Sequence, residues 1–437
     1  MSAAAHAADT TVAGILTDLA DPTHKAIVVD SPPGAGKSTL VVKAARQLAA
    51  DGTQRMIVAQ TNEQVDDLIA RLAAAEPELR IGRLSAQGYR RAERIDLPTV
   101  RDSSKAADLE DCTVVIGTAA KWATLTEGTW EHAIVDEAYQ MRSDMLLRIA
   151  RRFDRGLFVG DPGQLDPFAT VESDRWAGLD WDPTMSAVSV MLANNRDRHI
   201  PIHRLPVSWR LPASAAPVVS RAFYPFTPFD AGTAPGTRRL DFVTRGLRTP
   251  LDRCLDEAAD SGWAFYELPS RNTLRTDREA VAAVAALTVR VLERGATATS
   301  EQGAHPVTAD RLAVGTAHRD QAEAIRLALR GTLAEPVTVD TANRLQGREY
   351  DLTVVLHPLS GRRDASSFHL EAGRLCVLTS RHRHACIVVG RAGIPELLDA
   401  HPSAEPVHLG VPVKFPDGWE ANQAVLSHLA AHTIRAG

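Results

Sequence analysis

Asp30-Ser-Pro-Pro-Gly-Ala-Gly-Lys-Ser-Thr39 is the stretch from which the fold is read. Ahead of it, Ala26-Ile-Val-Val29 is β-branched and apolar, the pattern of a buried parallel strand. Behind it, Leu40 to Ala50 has helical composition and meets no breaker until Gly52. Strand, glycine-rich turn and helix together form the setting of a phosphate-binding loop. Backbone N–H groups of such a turn and the positive end of its helix converge on one anion. Pro33, Gly34, Ala35, Gly36, Lys37, Ser38 and Thr39 therefore line the expected nucleotide cradle. Lys37 reaches the β/γ oxygens and Ser38 holds Mg²⁺. Ser31 stands where the strict pattern has Gly. The implied ligand is ATP or GTP.

The chain's 437 residues are enough for two or three domains, and 44% hydrophobic with 24% charged residues is globular composition. No apolar run reaches the roughly 20 residues of a membrane span. Met1 to Asp9 is small and polar and lacks the basic start and apolar core of a signal peptide. Cys112, Cys254, Cys376 and Cys386 show no ligand spacing, so they read as free thiols of a reducing cytosol. His199/His203 and His382/His384 lack the Cys or carboxylate partners that complete a metal site. A net charge of −5 excludes a protein basic all over but not a local basic groove.

The rhythm set by the loop continues along the chain. Strands are expected at 55–59, 112–118, 132–138 and 155–161, the last two carrying acids at their carboxyl ends, with a helix capped by Thr61 or Asn62. Alternating strands and helices build a parallel sheet covered on both faces, with ligands at the strands' carboxyl ends. Residues 76–110 lose periodicity and read as a surface excursion, and 168–205, with Trp176 and Trp181, as a helix-bearing insertion and linker. The pattern restarts after Leu205 with a long helix at 278–293 and strands at 311–315, 337–340, 351–356 and 385–390. Residues 295–310 read as a loop, and a helix is expected at 420–432.

Asp136 and Glu137 end a strand at the right distance after the loop; there Asp holds Mg²⁺ and Glu activates water. Val159-Gly-Asp-Pro-Gly-Gln-Leu-Asp-Pro167 follows. With Pro-Pro-Gly-Ala-Gly-Lys-Ser and Asp-Glu-Ala-Tyr-Gln, it resembles motifs I, II and III of the superfamily 1 helicases, the 5′-to-3′ branch (superfamily 1B, Asp-Glu-x-x-Gln type) above all. Leu205-Pro-Val-Ser-Trp-Arg-Leu-Pro212 is similar to motif IV, Asp340 to Asp351 with Gln346-Gly-Arg-Glu349 to motif V, and Leu378 to Arg383 to motif VI. Ala317-His-Arg-Asp-Gln321 matches a further segment more loosely. The likeness runs from about residue 25 to 392. Cys376 replaces motif VI's usual Asn, and the family's adenine-reading Gln ahead of the loop has no counterpart here.

The resemblance implies an α/β chain of two tandem RecA-like P-loop domains with parallel sheets and small insertions. Domain 1 covers 1–205 and domain 2 covers 206–437. It implies that Arg210 and Arg381 bring positive charge to the γ-phosphate, that Gln164 senses that phosphate, and that Gly347 and Glu349 also border the nucleotide. Thr61, Asn62, Thr118, Lys121 and Thr341 are expected on a nucleic-acid backbone, with Trp122 or Trp209 stacking on a base. The implied cofactors are ATP and Mg²⁺, and the partner is single-stranded DNA or RNA. The protein is expected in the cytoplasm, monomeric or within a larger complex. Two activities fit: an ATPase that translocates on single strands and unwinds duplexes, or an ATP-driven clamp that switches conformation without unwinding.

Overall fold

The computed structural model describes residues 2–50, 52–165, 179, 185–402 and 417–436. The chain divides into two units: one takes in residues up to 162 and 166–206, the other 163–165 and 207–437.

The first unit is a sheet of eight strands: β1 (Ala26–Asp30), β2 (Arg55–Ala59), β3 (Ile81–Leu84), β4 (Val100–Ser103), β5 (Val114–Thr118), β6 (Trp130–Asp136), β7 (Phe153–Gly160) and β8 (Ile202–Arg204). Their order is β4-β3-β5-β2-β6-β7-β1-β8, and every pair is parallel. Alternation along β1 shows why both faces are covered. Ile27 and Val29 pack with Leu40, Val41 and Ala44 of the helix Lys37–Ala49, whereas Val28 packs with Met56, Val135 and Phe158 on the other face.

Residues 76–110 are not the surface excursion expected from their sequence. They add β3 and β4 to the sheet edge, and β3 is buried throughout. The charge that hid this strand is neutralised inside: Arg83 Nε donates to Asp66 Oδ1 at 2.7 Å, with both side chains buried, and its guanidinium lies over the Tyr89 ring. From 168–205, the helix Ala187–Asn194 and β8 are described, and β8 pairs with β1; Trp176 and Trp181 lie outside the described residues.

The second unit holds β9 (Val207–Ser208), β10 (Asp230–Ala231), β11 (Arg239–Phe242), β12 (Trp263–Leu268), β13 (Ala296–Ser300), β14 (Gly303–Pro306), β15 (Leu312–Thr316), β16 (Thr338–Thr341), β17 (Tyr350–Leu356), β18 (His382–Arg391) and β19 (Thr433–Arg435). A parallel sheet runs β16-β15-β17-β18-β12-β19. Here too the sheet is double-faced: Phe265, Val355 and Val388 enter one core, and Ala264, Tyr266, Val354 and Ile387 the other. Both units are RecA-like α/β domains in tandem.

Residues 295–310 form a hairpin rather than a loop. β13 and β14 pair antiparallel and β11 joins them. Alternation of Ala296 and Ala298 into the core is enough to hold this strand despite its small residues. After the helix Gly418–Leu429 the chain returns as β19, beside β12.

Candidate nucleotide and nucleic-acid site

After β1, Gly34 and Gly36 adopt φ of +72° and +87°, a left-handed path that glycine follows without penalty. Helix Lys37–Ala49 begins immediately after, and Gly36 caps it without a side-chain bond. Ser31 closes the loop as well as Gly does: it is buried, has no positive φ, and donates its N–H to Gly160 O at 2.8 Å.

The Lys37 amine lies 3.2 Å from Asp136 Oδ1 and is hydrogen-bonded to Glu137 Oε1. Burial works to discharge the amine, but Asp136 and then Glu137 outweigh it and hold its pKa above the ordinary value. Glu137 has a φ of +52°, left-handed for a non-glycine residue. Its N–H donates to Asp136 Oδ1 at 3.0 Å, and its carbonyl accepts from Gln140 N at 2.9 Å. Such strain persists only where surroundings over-determine it, and it gathers at functional sites. Gly160 gives that turn room: a Cβ there would stand 3.0 Å from the backbone nitrogens of Ala138 and Tyr139. Tyr139 donates its hydroxyl to Asp30, tying the acidic turn to the end of β1. Ser38 hydroxyl and Asp136 carboxylate are hard oxygen donors, the set Mg²⁺ favours.

The expected backbone contacts of the first unit gather at the same carboxyl edge. Thr61 caps the helix Asn62–Ala75 in a capping box with Gln64. Thr118 caps the short helix Ala119–Trp122, accepting from Lys121 N at 3.2 Å. Asn62 Oδ1 accepts from Arg83 Nη2 at 3.2 Å. Trp122 is core and not a base-stacking residue: it is fully buried, its Nε1 donates to Ile57 O, and it meets Trp130 edge-on. Trp209 remains partly exposed. Asp161 and Pro162 group with the first unit while Gly163–Leu165, including Gln164, group with the second; Asp166 and Pro167 lie outside the described residues.

In the second unit, Arg210 Nε donates to Glu349 Oε2 at 3.1 Å and Arg383 Nη1 to Glu349 Oε1 at 3.0 Å. Arg381 is not on that carboxylate. It is buried, donates Nη2 to Ser380 Oγ at 2.7 Å, and its carbonyl accepts from Tyr350 N at 2.9 Å. Gly347 turns with φ of +80° ahead of Glu349. Thr341 ends β16, is buried, and its N–H donates to Asp340 Oδ1 at 2.9 Å. Sequence reasoning named Arg210 and Glu349 but not Arg383 and Arg238, which contact them, nor the Tyr139–Asp30 hydrogen bond beside the acidic turn. Only for Arg383 was a signal present, in the repeated arginine of Ser380-Arg-His-Arg383.

Among the described residues no group of three His, Cys, Asp or Glu could hold a metal ion. His203 pairs with Asp18 at 2.8 Å and His384 with Asp351 at 3.4 Å. The four cysteines are buried, and among the described residues none is in a disulfide. No helix among the described residues is long and apolar enough to cross a membrane.

Two family models, each described as an AAA domain, match residues 13–173 and 256–393. No curated protein matches the chain. Among solved structures, the arterivirus nonstructural protein 10 (helicase) is 16% identical, covering 90% of this chain and 63% of its own, with a TM-score of 0.45. Its complex with DNA is likewise 16% identical, covering 88% and 62%, at 0.43. The PRRSV helicase is 14% identical, covering 98% and 66%, at 0.45. The chain spans under two thirds of the length of these proteins. An AAA domain is matched in each half of the chain, in a sequence whose motifs resemble motifs I to VI of the superfamily 1 helicases in order.

Proposed function

We propose that the chain is a nucleic-acid-dependent ATPase that moves along single-stranded DNA or RNA. The observation that carries this reading is the meeting of Lys37 with Asp136 and Glu137, brought together from about a hundred residues apart beside a glycine-shaped anion cradle. In this reading Lys37 neutralises the β/γ-phosphates, Ser38 and Asp136 hold Mg²⁺, and Glu137 takes a proton from the attacking water. Magnesium supplies charge compensation to the phosphate oxygens. Gln164 senses the terminal phosphate. Arg210 and Arg381 add positive charge where the transition state develops negative charge. Gly347 and Glu349 border the same phosphates. Thr61, Asn62, Thr118, Lys121 and Thr341 hold the strand's backbone, which is sequence-independent binding. The Asp-Glu-Ala-Tyr-Gln form supports 5′-to-3′ polarity, and four buried cysteines outside any disulfide suit a reducing cytoplasm.

Incorporation of 76–110 into the sheet favours a second reading, since it removes one candidate for a protruding strand-separating element. There the same hydrolysis drives a clamp that grips and releases without unwinding. Strand displacement on 5′- and 3′-tailed duplexes separates the two: ATP-dependent release from the 5′-tailed duplex alone supports translocation with unwinding. Stimulated hydrolysis without release supports the clamp. An ATPase rate indifferent to single-stranded DNA and RNA at every salt concentration sinks both.

A further inference from the structure

We propose that a cleft at the amino-terminal edge of the first unit's sheet binds a small apolar molecule that carries one anionic group. It does not rest on the nucleotide reading above. The cleft has a volume of about 640 Å³, enough to enclose a drug-sized ligand. Lys25 and Ala26 at the entry to β1 and Phe153 and Asp154 at the start of β7 line it. The helices Ser143–Ile149 and Ala187–Asn194, and the residues that follow the second, supply the rest. The nucleotide loop and the acidic turn stand instead at the carboxyl ends of the same strands, at Asp30 and Gly160. At ~3.3 Å per residue, the start of β7 is about 20 Å from Gly160.

The wall of the cleft is apolar because of how these elements present their side chains. Leu146 and Leu147 are consecutive on one helix and so point about 100° apart. Leu146 is buried, whereas Leu147 stays 57% exposed, and both line the cleft. Phe153, Phe158, Val190, Met191 and Ile200 complete the apolar surface. A large apolar side chain left open in a concave, apolar-walled cleft is the character of a binding surface, unlike an isolated exposed leucine on a convex face.

Charge selects the polar end of the ligand. Lys25, Arg198, His24 and His199 line the cleft against a single acid, Asp154. Neither Lys25 nor Arg198 forms an ion pair among the described residues, with Asp154 or with any other acid. His24 is held in place: its Nδ1 donates to Asp18 O at 3.3 Å, and its ring centre lies 6.0 Å from that of His199. Two uncommitted cations beside an apolar wall favour a ligand whose body enters the cleft while its carboxylate or sulfonate faces them.

Two dyes with a shared ring body test this on the full chain: anilinonaphthalenesulfonate, which carries an anion, and N-phenylnaphthylamine, which does not. Fluorescence titration should give one saturable site for the sulfonate dye. Arg198→Glu and Lys25→Glu, both at exposed positions, should each weaken that dye by about ten-fold or more and leave the neutral dye nearly unchanged. Met191→Trp fills the cleft and should weaken both dyes. Where that variant does not fold, the exposed Leu147→Glu sets a carboxylate on the wall and should expel the sulfonate dye. Saturating ATPγS should leave the titrations unchanged, because the nucleotide loop is at the other end of the strands. Equal loss of both dyes in the charge reversals, or sulfonate binding indifferent to them, overturns the assignment. So does displacement by ATPγS, or a wild-type chain that binds neither dye. Sulfonate binding that falls as protein concentration rises would put a second copy of the chain in the cleft, and overturns it as well.

Discussion

The Lys37 amine stands 3.2 Å from the Asp136 carboxylate, which joins the first turn of the loop helix to the end of β6 in a buried ion pair. Glu137 shares the same amine, and the cluster works only with Lys37, Asp136 and Glu137 all in place. Lys37→Ala leaves Asp136 and Glu137 buried without their cation, and breaking such a pair costs about 3–5 kcal/mol when neither acid relaxes. We expect ATPase activity to fall to background and the thermal midpoint at neutral pH to drop. Midpoint loss should shrink as pH is lowered and Asp136, whose pKa burial already raises above the ordinary value, takes up a proton. A variant as stable as wild type at pH 7 contradicts the role given to this pair.

Glu137→Gln keeps the shape of the turn and removes the proton acceptor. ATP binding should survive while turnover is lost, by about 10²–10⁴-fold for a general base. Equilibrium binding of a fluorescent ATP analogue, set beside single-turnover hydrolysis, measures both. Hydrolysis at the wild-type rate would assign the base to another residue.

Gly160→Ala should disturb the same turn from behind. The added Cβ meets backbone nitrogens of Ala138 and Tyr139 at 3.0 Å, and backbone cannot rotate away as a side chain can. Overpacking of this kind costs about 1–3 kcal/mol. Denaturant unfolding should show that loss, with an ATPase rate reduced more than stability alone explains. Unchanged values on both counts would mean that the strand end shifts freely.

His357 sets part of the acid limit of the fold. It is buried, its Nδ1 accepts from Leu359 N at 3.2 Å, and burial holds its pKa down at about 4. In the unfolded chain the same ring titrates near 6.5. Between those values the unfolded state binds the proton and the native state does not, so stability is intact above about 6.5 and falls as pH drops toward 4. His357→Gln cannot protonate, and the unfolding free energy should then fall less steeply in that window. The difference for one such group is on the order of 3 kcal/mol at its full extent. Parallel pH profiles for variant and wild type would remove His357 from this role.

Arg381→Ala addresses a group whose place in the reaction rests on resemblance. If Arg381 serves as the finger, ATP should bind nearly normally and hydrolysis should slow by about 10³-fold or more. The buried arginine also contacts Ser380 in the turn before β18, so unfolding measurements should accompany the kinetics. Normal turnover by a folded variant would shift the role to another arginine, with Arg383 the first to examine.

Much of the fold was legible because its signals are local. The strand Ala26–Asp30, the glycine turn and the helix beginning at Lys37 follow from a β-branched run, two left-handed positions and a breaker-free segment. A helix cap was expected at Thr61 or Asn62, and the structure selects Thr61, in a capping box with Gln64. The reading failed where burial overrides local character. Ile81-Gly-Arg-Leu84 holds an arginine and a glycine in a fully buried strand, which is possible only because Asp66 and Tyr89 wait for the guanidinium. Ala296 to Pro306 lacks bulky strand residues and is a hairpin because β11 offers it an edge.

The sequence alone determined which residues end which strands, and hence that Lys37, Asp136 and Glu137 share one edge of one sheet. Periodicity and turn chemistry are short-range, so they survive without knowledge of partners. Tertiary structure alone decided which distant groups meet. Glu349 holds Arg210 from 139 residues earlier in the chain and Arg383 from 34 residues later. No spacing rule links those three, because their approach is set by how β9, β17 and β18 are carried by the second core, and by the cost of leaving a half-buried carboxylate without its cations.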